Sequence, residues 1–228
     1  MNLSQRLTKV KNTVINCETV CDIGCDHGFV SVSLIKEGKA KRVIACDINK
    51  GPLEAAKENV SKEGLSSQIE LRLSDGLSQV FPKDKPDSIV IAGMGGALMC
   101  KILTEGSKVV SSANQLVLQP QSEIFLVRKW LRENGFYIKN EEFLKDMGKY
   151  YVIMDARPGK SEVFDSEIQE FFDIYSKNLI DKKDNLYKEY LLWKIEKNSG
   201  YLAGITGDKR DELERKIILM KKAVSMMK

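Results

Sequence analysis

Asp22 stands in a glycine-bracketed stretch, T-V-C-D-I-G-C-D-H-G over residues 19–28. Residues 20–23 read as a short buried strand, Gly24 and Gly28 bracket a turn, and residues 29–37 read as an amphipathic helix. A strand feeding a glycine turn and then a helix N-terminus suits a ligand that approaches the backbone closely. The dinucleotide fingerprint G-x-G-x-x-G is the natural comparison, and it fails at one position. Where the second glycine should touch pyrophosphate the chain has Asp26, so a phosphate would meet two carboxylates. That pair favours a cationic or hydroxyl-rich ligand over a nicotinamide or flavin dinucleotide. Asp47 closes the next apolar run, R-V-I-A-C-D over residues 42–47. It falls roughly twenty residues after Gly24, the spacing at which a carboxylate accepts both hydrogens of a ribose cis-diol. The plainer alternative is an aspartate capping the next helix, which starts near Gly51-Pro52.

These groups need strand ends to hold them, and the chain supplies a series of strand-helix units. A helix over residues 1–16, capped by Ser4, carries Leu7, Val10 and Val14 on one face and leads into the first strand. Its lysines read as a solvated face, whereas Arg6 is placed to reach a phosphate near the pocket mouth. A helix over 52–63 follows Asp47. Residues 69–73 form a third strand ended by Ser74-Asp75-Gly76, and residues 88–92 a fourth, followed by Gly93-Met94-Gly95-Gly96. Those glycines leave backbone bare enough for a flat base to lie against it, with Met94 the one side chain able to pack on the base. Residues 114–119 form a fifth strand closed by Pro120. Ser122 caps a helix over 123–134, and residues 136–143 and 150–156 form an antiparallel hairpin at the sheet edge. Right-handed crossovers make the first five strands parallel.

Arg157-Pro158-Gly159 marks a boundary between a domain of residues 1–159 and a helical segment of residues 160–228. In the latter, Ile168, Phe171, Tyr175 and Leu179, then Leu186, Tyr190 and Trp193, form one apolar stripe. A glycine-bearing break over 198–207 separates it from a second stripe of Leu213, Ile217, Met220 and Val224. Two antiparallel helices in coiled-coil-like contact are the simplest arrangement. Phe171, Tyr175, Tyr190 and Trp193 are then core residues, and Lys182, Lys183 and Lys188 are the outer cations available for docking.

The chain of 228 residues is long enough for one α/β domain plus an appendage, and its net charge of +4 is compatible with an RNA partner without requiring one. No apolar run reaches transmembrane length and no secretory segment is visible, so the expectation is a cytoplasmic protein with no membrane partner. Five cysteines without a C-x-x-C pair read as reduced thiols, and a single histidine, His27, excludes a multi-histidine metal site.

The pattern D-x-G-x-D-x-G from Asp22 to Gly28 resembles motif I of Rossmann-like methyltransferases that use S-adenosylmethionine (AdoMet). The whole chain resembles a narrower family, the bacterial tRNA (adenine-22-N1)-methyltransferases of the TrmK type. That resemblance rests on L-S-x-R-L (Leu3 to Leu7), D-I-G-C-D-H-G (Asp22 to Gly28), A-G-M-G-G (Ala92 to Gly96), L-Q-P-Q (Leu118 to Gln121) and the order of domains. It implies a Rossmann-like α/β fold with a C-terminal helical hairpin, AdoMet as cofactor, no metal, and methyl transfer to N1 of an adenine in tRNA. It implies a cofactor site of Asp22, Gly24, Cys25, Gly28, Asp47, Ile48, Asp75, Gly76, Ala92 and Gly93, with Asp75 meeting the adenine amino group. Asp26 and His27 are the candidates for chemistry, and Arg6, Met94 and Gln119 for contact with substrate. The absence of an N-P-P-Y type motif, common in exocyclic-amine methylation, agrees with a ring nitrogen as target. A small-molecule methyltransferase with a dimerising hairpin, or a non-catalytic AdoMet-binding protein, are the competing readings; a monomer or weak dimer is expected.

Overall fold

Apolar side chains on both sides of the same short runs require strands covered on two faces. The structure, a computed structural model, describes residues 3–228 and contains such a sheet. Strands β1 (Cys17–Ile23), β2 (Ala40–Asp47), β3 (Ile69–Leu73), β4 (Ser88–Gly95) and β5 (Gln115–Ser122) are parallel to one another. The hairpin β6 (Phe136–Asp146) and β7 (Lys149–Pro158) closes the sheet, with β7 antiparallel to β5. The strand order is β3-β2-β1-β4-β5-β7-β6.

Alternation along the central strands sends side chains into two cores. Cys21, Ile23, Ile44 and Ile91 face a layer built by α4 (Gly96–Glu105), α5 (Ser107–Val110) and α6 (Ile124–Glu133). Val20, Val43, Val90 and Val117 face α1 (Gln5–Thr13), α2 (Phe29–Lys36) and α3 (Lys50–Lys62). Each fully buried Val, Ile or Leu favours the fold by roughly 1.5–3 kcal/mol over its exposed state, so the central strand ends are firmly held. Helix α1 is fixed at both ends. Ser4 Oγ accepts from the Leu7 amide, and Asp146 at the hairpin tip accepts from the Arg6 amide at 3.0 Å. At the other end Gln115 donates to the Thr13 carbonyl at 2.8 Å and accepts from the Ile15 amide.

Three local expectations differ from what is observed. β4 does not stop at Ala92 but continues to Gly95 through register shifts, pairing Met94 with Pro120. β5 accordingly passes through Pro120, which such an irregularity tolerates because no regular ladder donor is needed there. Ser122 does not cap α6: it ends β5, and the cap position is Glu123 in left-handed backbone (φ 49°) with no side-chain capping bond.

The C-terminal segment departs most from the two-helix expectation. Its first stripe is split into α7 (Ser166–Ile174), α8 (Lys177–Asp181) and α9 (Asn185–Tyr201), and only α9 pairs with α10 (Asp208–Met226) as a hairpin. Three side-chain caps explain the splitting: Asp165, Ser176 and Asp184 each accept from an amide three residues on and start a new helix. The glycine-bearing break expected over 198–207 is also shorter, since α9 runs on through Gly200. Leu179, Tyr187, Leu191, Ile217 and Met220 form the shared core of this region. Phe171 and Tyr175 are core residues as expected, but Trp193 is 45% exposed and Tyr190 only half-buried. Lys182 is exposed as expected but donates to the Glu141 carbonyl at 2.8 Å and to Asn140, and the half-buried Lys188 reaches the Met227 carbonyl at 3.5 Å. Among the described residues, no helix is long and apolar enough to cross a membrane.

Candidate active site

In an open parallel sheet, ligands settle where neighbouring strands send the chain in opposite directions. That point lies at the C-terminal ends of β1 and β4, which are neighbours in the sheet. Asp22, one residue before the end of β1, is 5% exposed and pairs in register with Ala45 and Val90. Ser31 in the first turn of α2 donates its hydroxyl to Asp22 at 2.6 Å. Burial pushes the Asp22 carboxyl up to about 6, against the Ser31 hydrogen bonds and helped by the nearby charge of Asp47. A buried carboxylate so sparsely partnered is a ready counter-charge for a cation.

Asp47 ends β2 and binds two loops together. Its Oδ2 accepts from the Asp26 amide at 3.1 Å and its Oδ1 from the Asn49 amide at 2.9 Å. The cap position of α3 is Asn49, so Asp47 is a loop tie and not the helix cap. A carboxylate has lone pairs to spare beyond these two bonds. The same tie explains Asp26 at the fingerprint's glycine position. It adopts left-handed backbone (φ 52°), which aspartate tolerates better than most residues, with its amide engaged by Asp47.

The side chains of Asp26 and His27 sit at the rim and not in the floor of the site. They are 70% and 49% exposed, with His27 Nε2 3.6 Å from Asp26 Oδ1. His27 stacks on Phe29 with ring centroids 5.5 Å apart, and its carbonyl accepts from Asn59. Cys25 is buried behind them, its thiol pushed up by that burial, and its amide donates to the Cys46 carbonyl at 2.9 Å.

Gly24 has φ 72°, which favours glycine, and the Met94 methyl occupies the space a Cβ there would take. Met94 thus packs against the glycine turn and the inner core. Gly93 also has positive φ (82°), and a Cβ on it would lie 3.7 Å from the Arg6 guanidinium and the Gln121 amide. Ala92 pairs with Gln119 on β5. After β3 the Ser74 amide donates to the Asp47 carbonyl at 2.8 Å, which brings the Ser74-Asp75-Gly76 turn beside β2. Asp75 and Ile48 are both exposed at this edge, while Gly76 is buried against Ile102.

Arg6 and Gln119 meet across the sheet end: Arg6 Nη1 donates to Gln119 Oε1 at 2.6 Å. Gln119 is fully buried, so of the two Arg6 is the one facing the opening. The Arg6 guanidinium also lies over the Tyr151 ring, 5.5 Å from its centroid. Sequence reading missed Ser31, Tyr151, Gln121 and Asp146. Only Ser31 carried a local signal, a hydroxyl in the first turn of the helix leaving the glycine turn.

The donor set fits AdoMet. Asp22 would offer a buried charge to its ammonium, Asp47 lone pairs to its ribose and Asp75 an acceptor to its adenine amine, while Gly24 and Gly93, both at positive φ, turn the loops at the strand ends. A methyltransferase-domain family model matches residues 3–154. The chain is 37% identical to the tRNA (adenine(22)-N(1))-methyltransferase of Bacillus subtilis (strain 168), over 70% of this chain and 66% of that protein, just under two thirds of its length. Among solved structures it is similar to TrmK from M. capricolum in complex with S-adenosyl-homocysteine, with a TM-score of 0.89, 27% identity and 99% of both chains covered. It is also similar to the B. subtilis m1A22 tRNA methyltransferase TrmK, with a TM-score of 0.83, 28% identity and 98% of this chain and 99% of that one covered. With the carboxylate-lined strand ends described, the chain belongs to the methyltransferase-domain family and, over nearly its whole length, is similar to the TrmK tRNA methyltransferases.

Proposed function

We infer that the protein transfers a methyl group from AdoMet to N1 of an adenine, adenine 22, in tRNA. The observation that carries the reading is the buried, under-partnered Asp22 at the sheet's switch point, facing a bare-glycine rim that Arg6 overlooks. When bound, AdoMet supplies an electrophilic methyl on a sulfonium. Asp22 holds the ammonium, Asp47 the ribose diol and Asp75 the adenine amine, while Cys25, Gly28, Ile48, Gly76 and Ala92 shape the walls.

The chemistry asks little of the protein in proton transfer. Neutral adenine N1 already presents an in-plane lone pair, so no base has to deprotonate it. The site's work is alignment and exclusion of water. Methylation at N1 would leave the ring cationic. Asp26 at the rim stabilises that charge, and His27, stacked on Phe29, holds Asp26 in place. N1 is paired or stacked in folded tRNA, so the base must be exposed or flipped out before it enters. Arg6, held by Gln119, takes an adjoining phosphate, and Met94 packs at the base's edge. Residues 1–159 carry the transfer and residues 160–228 assist in holding RNA. The protein acts in the cytoplasm, as a monomer or weak dimer.

The test is incubation with labelled AdoMet and unmodified bulk tRNA, digestion to nucleosides, and mapping of the modified position. Label in 1-methyladenosine at position 22 is the expected result. Label in a different nucleoside would overturn the target, and AdoMet binding without label in RNA would overturn the RNA substrate. Full turnover by Asp26→Ala would remove Asp26 from the mechanism.

A further inference from the structure

A groove of about 400 Å3 leads from the active-site mouth to the hairpin. Gln121 and Tyr151 line it at the mouth, where Gln121 lies beside Gly93 and Tyr151 lies under Arg6. Tyr150, Tyr190 and Trp193 line it further out. The Tyr150 ring is 4.7 Å from Tyr190 and 6.3 Å from Trp193, and Tyr190 is 6.0 Å from Trp193. This cluster joins the tip of β7 to α9 yet leaves Trp193 45% exposed.

Lysines crowd the same rings. Lys194 Nζ is 5.6 Å from both Tyr190 and Trp193, Lys197 is 5.2 Å from Trp193, and Lys145 is 5.2 Å from Tyr150. Elsewhere in the helical region Lys177 and Lys216 pair with carboxylates four residues away. Among the described residues, Lys145, Lys194 and Lys197 make no such pair and face aromatic rings. An exposed ring face bordered by unpaired cations matches one partner chemistry, an unpaired nucleotide with a flat base and an anionic phosphate. A duplex offers phosphates but hides its base faces.

We propose that the Tyr150–Tyr190–Trp193 face is a stacking platform for an unpaired tRNA nucleotide flanking the target base. The stacked neighbour keeps the strand open while the target adenine enters the mouth beside Gly93. The proposal rests on the tRNA reading above and adds which surface grips the strand. It also assigns Trp193 a role that the helical stripe alone does not require.

Two measurements on the full chain test it. In a Trp130→Phe background, where Trp193 is the remaining tryptophan, titration with a short single-stranded oligoribonucleotide quenches the fluorescence and the matching duplex at equal concentration does not. Trp193→Ala raises KM for tRNA about tenfold, the scale of one lost stacked base, with kcat and AdoMet affinity unchanged. Trp193→Phe recovers most of the loss. An unaltered KM in Trp193→Ala, or equal quenching by duplex, overturns the platform while leaving tRNA methylation intact. Sedimentation showing that Trp193→Ala splits a dimer would overturn it too, making the face a contact between copies of this chain. Quenching by the single strand without any methylation of tRNA would instead overturn the substrate reading and leave an RNA-binding face.

Discussion

Two of the regions that bury carboxylates treat them in opposite ways. At the strand ends, Asp22 is almost fully buried and its hydrogen bonds come from Ser31, leaving its carboxyl raised to about 6. At the seam between the sheet and α7–α8, Glu141 is 1% exposed but paired with a cation. Arg128 donates to its Oε1 at 3.0 Å and Ser176 to its Oε2. Arg128 in turn caps α7 through the Asp173 and Ile174 carbonyls at 2.8 and 3.1 Å, and Arg132 binds the Asp173 carboxylate at 2.7 Å. Arg132 Nε is the exception, the described buried side-chain nitrogen without a partner. Among the described residues, the Glu141 charge is matched by a cation and the Asp22 charge is not.

The comparison can be broken most forcefully at the seam. Arg128→Ala strands Glu141 in the interior and should lower unfolding free energy by about 3–5 kcal/mol, read by denaturant titration. A loss under 1 kcal/mol would mean the seam is not a sealed charge network. Asp22→Asn should instead leave the ligand-free protein as stable or more so, since it removes a desolvated charge. AdoMet affinity should fall by about 2–3 kcal/mol, the range of a charge-assisted bond in a dry site. Calorimetry and a thermal melt on one sample separate the two effects, and a clear drop in melting temperature would class Asp22 with Glu141.

Ser31→Ala sharpens the same contrast. It should destabilise the protein by about 1.5 kcal/mol at neutral pH, where Asp22 is ionised, and by less near pH 5. The pH dependence has a definite sign. Asp22 is raised in the folded state above its unfolded value of about 4. The folded chain therefore binds the extra proton, and the burial penalty grows as pH rises from about 4 to about 6 and is constant above. Pairing with an ammonium needs the ionised form, so AdoMet affinity should drop about tenfold between pH 7 and pH 5. A flat affinity profile over that range would detach Asp22 from the cofactor.

Much of this was legible in local sequence. The strand-turn-helix around Gly24, the carboxylates ending the first three strands and the antiparallel close all lie within short windows. Their signals are glycine, alternation and strand-end aspartates. The name of the target nucleotide came through resemblance and not through spacing. The helical segment misled because its apolar stripe runs across helix starts at Ser176 and Asp184, whose capping chemistry was visible in type but outweighed by periodicity. Reading Trp193 as core failed for a related reason: a stripe defines a face, not how far the neighbouring helix covers it.

By itself the sequence determined the order of strands and the parallel sheet up to the terminal strand hairpin, and the residue types at the strand ends, because these follow from local backbone preference and period-two or helical patterning. Tertiary structure alone decided which charges stand alone and which are paired. Arg6 reaches Gln119, Gln115 holds α1, and Glu141 meets Ser176 across stretches of chain no local rule spans. The groove from Gly93 to Trp193 likewise exists only because β7 and α9 pack together. Burial and pairing are properties of what packs against a group, and that is set by distant parts of the chain.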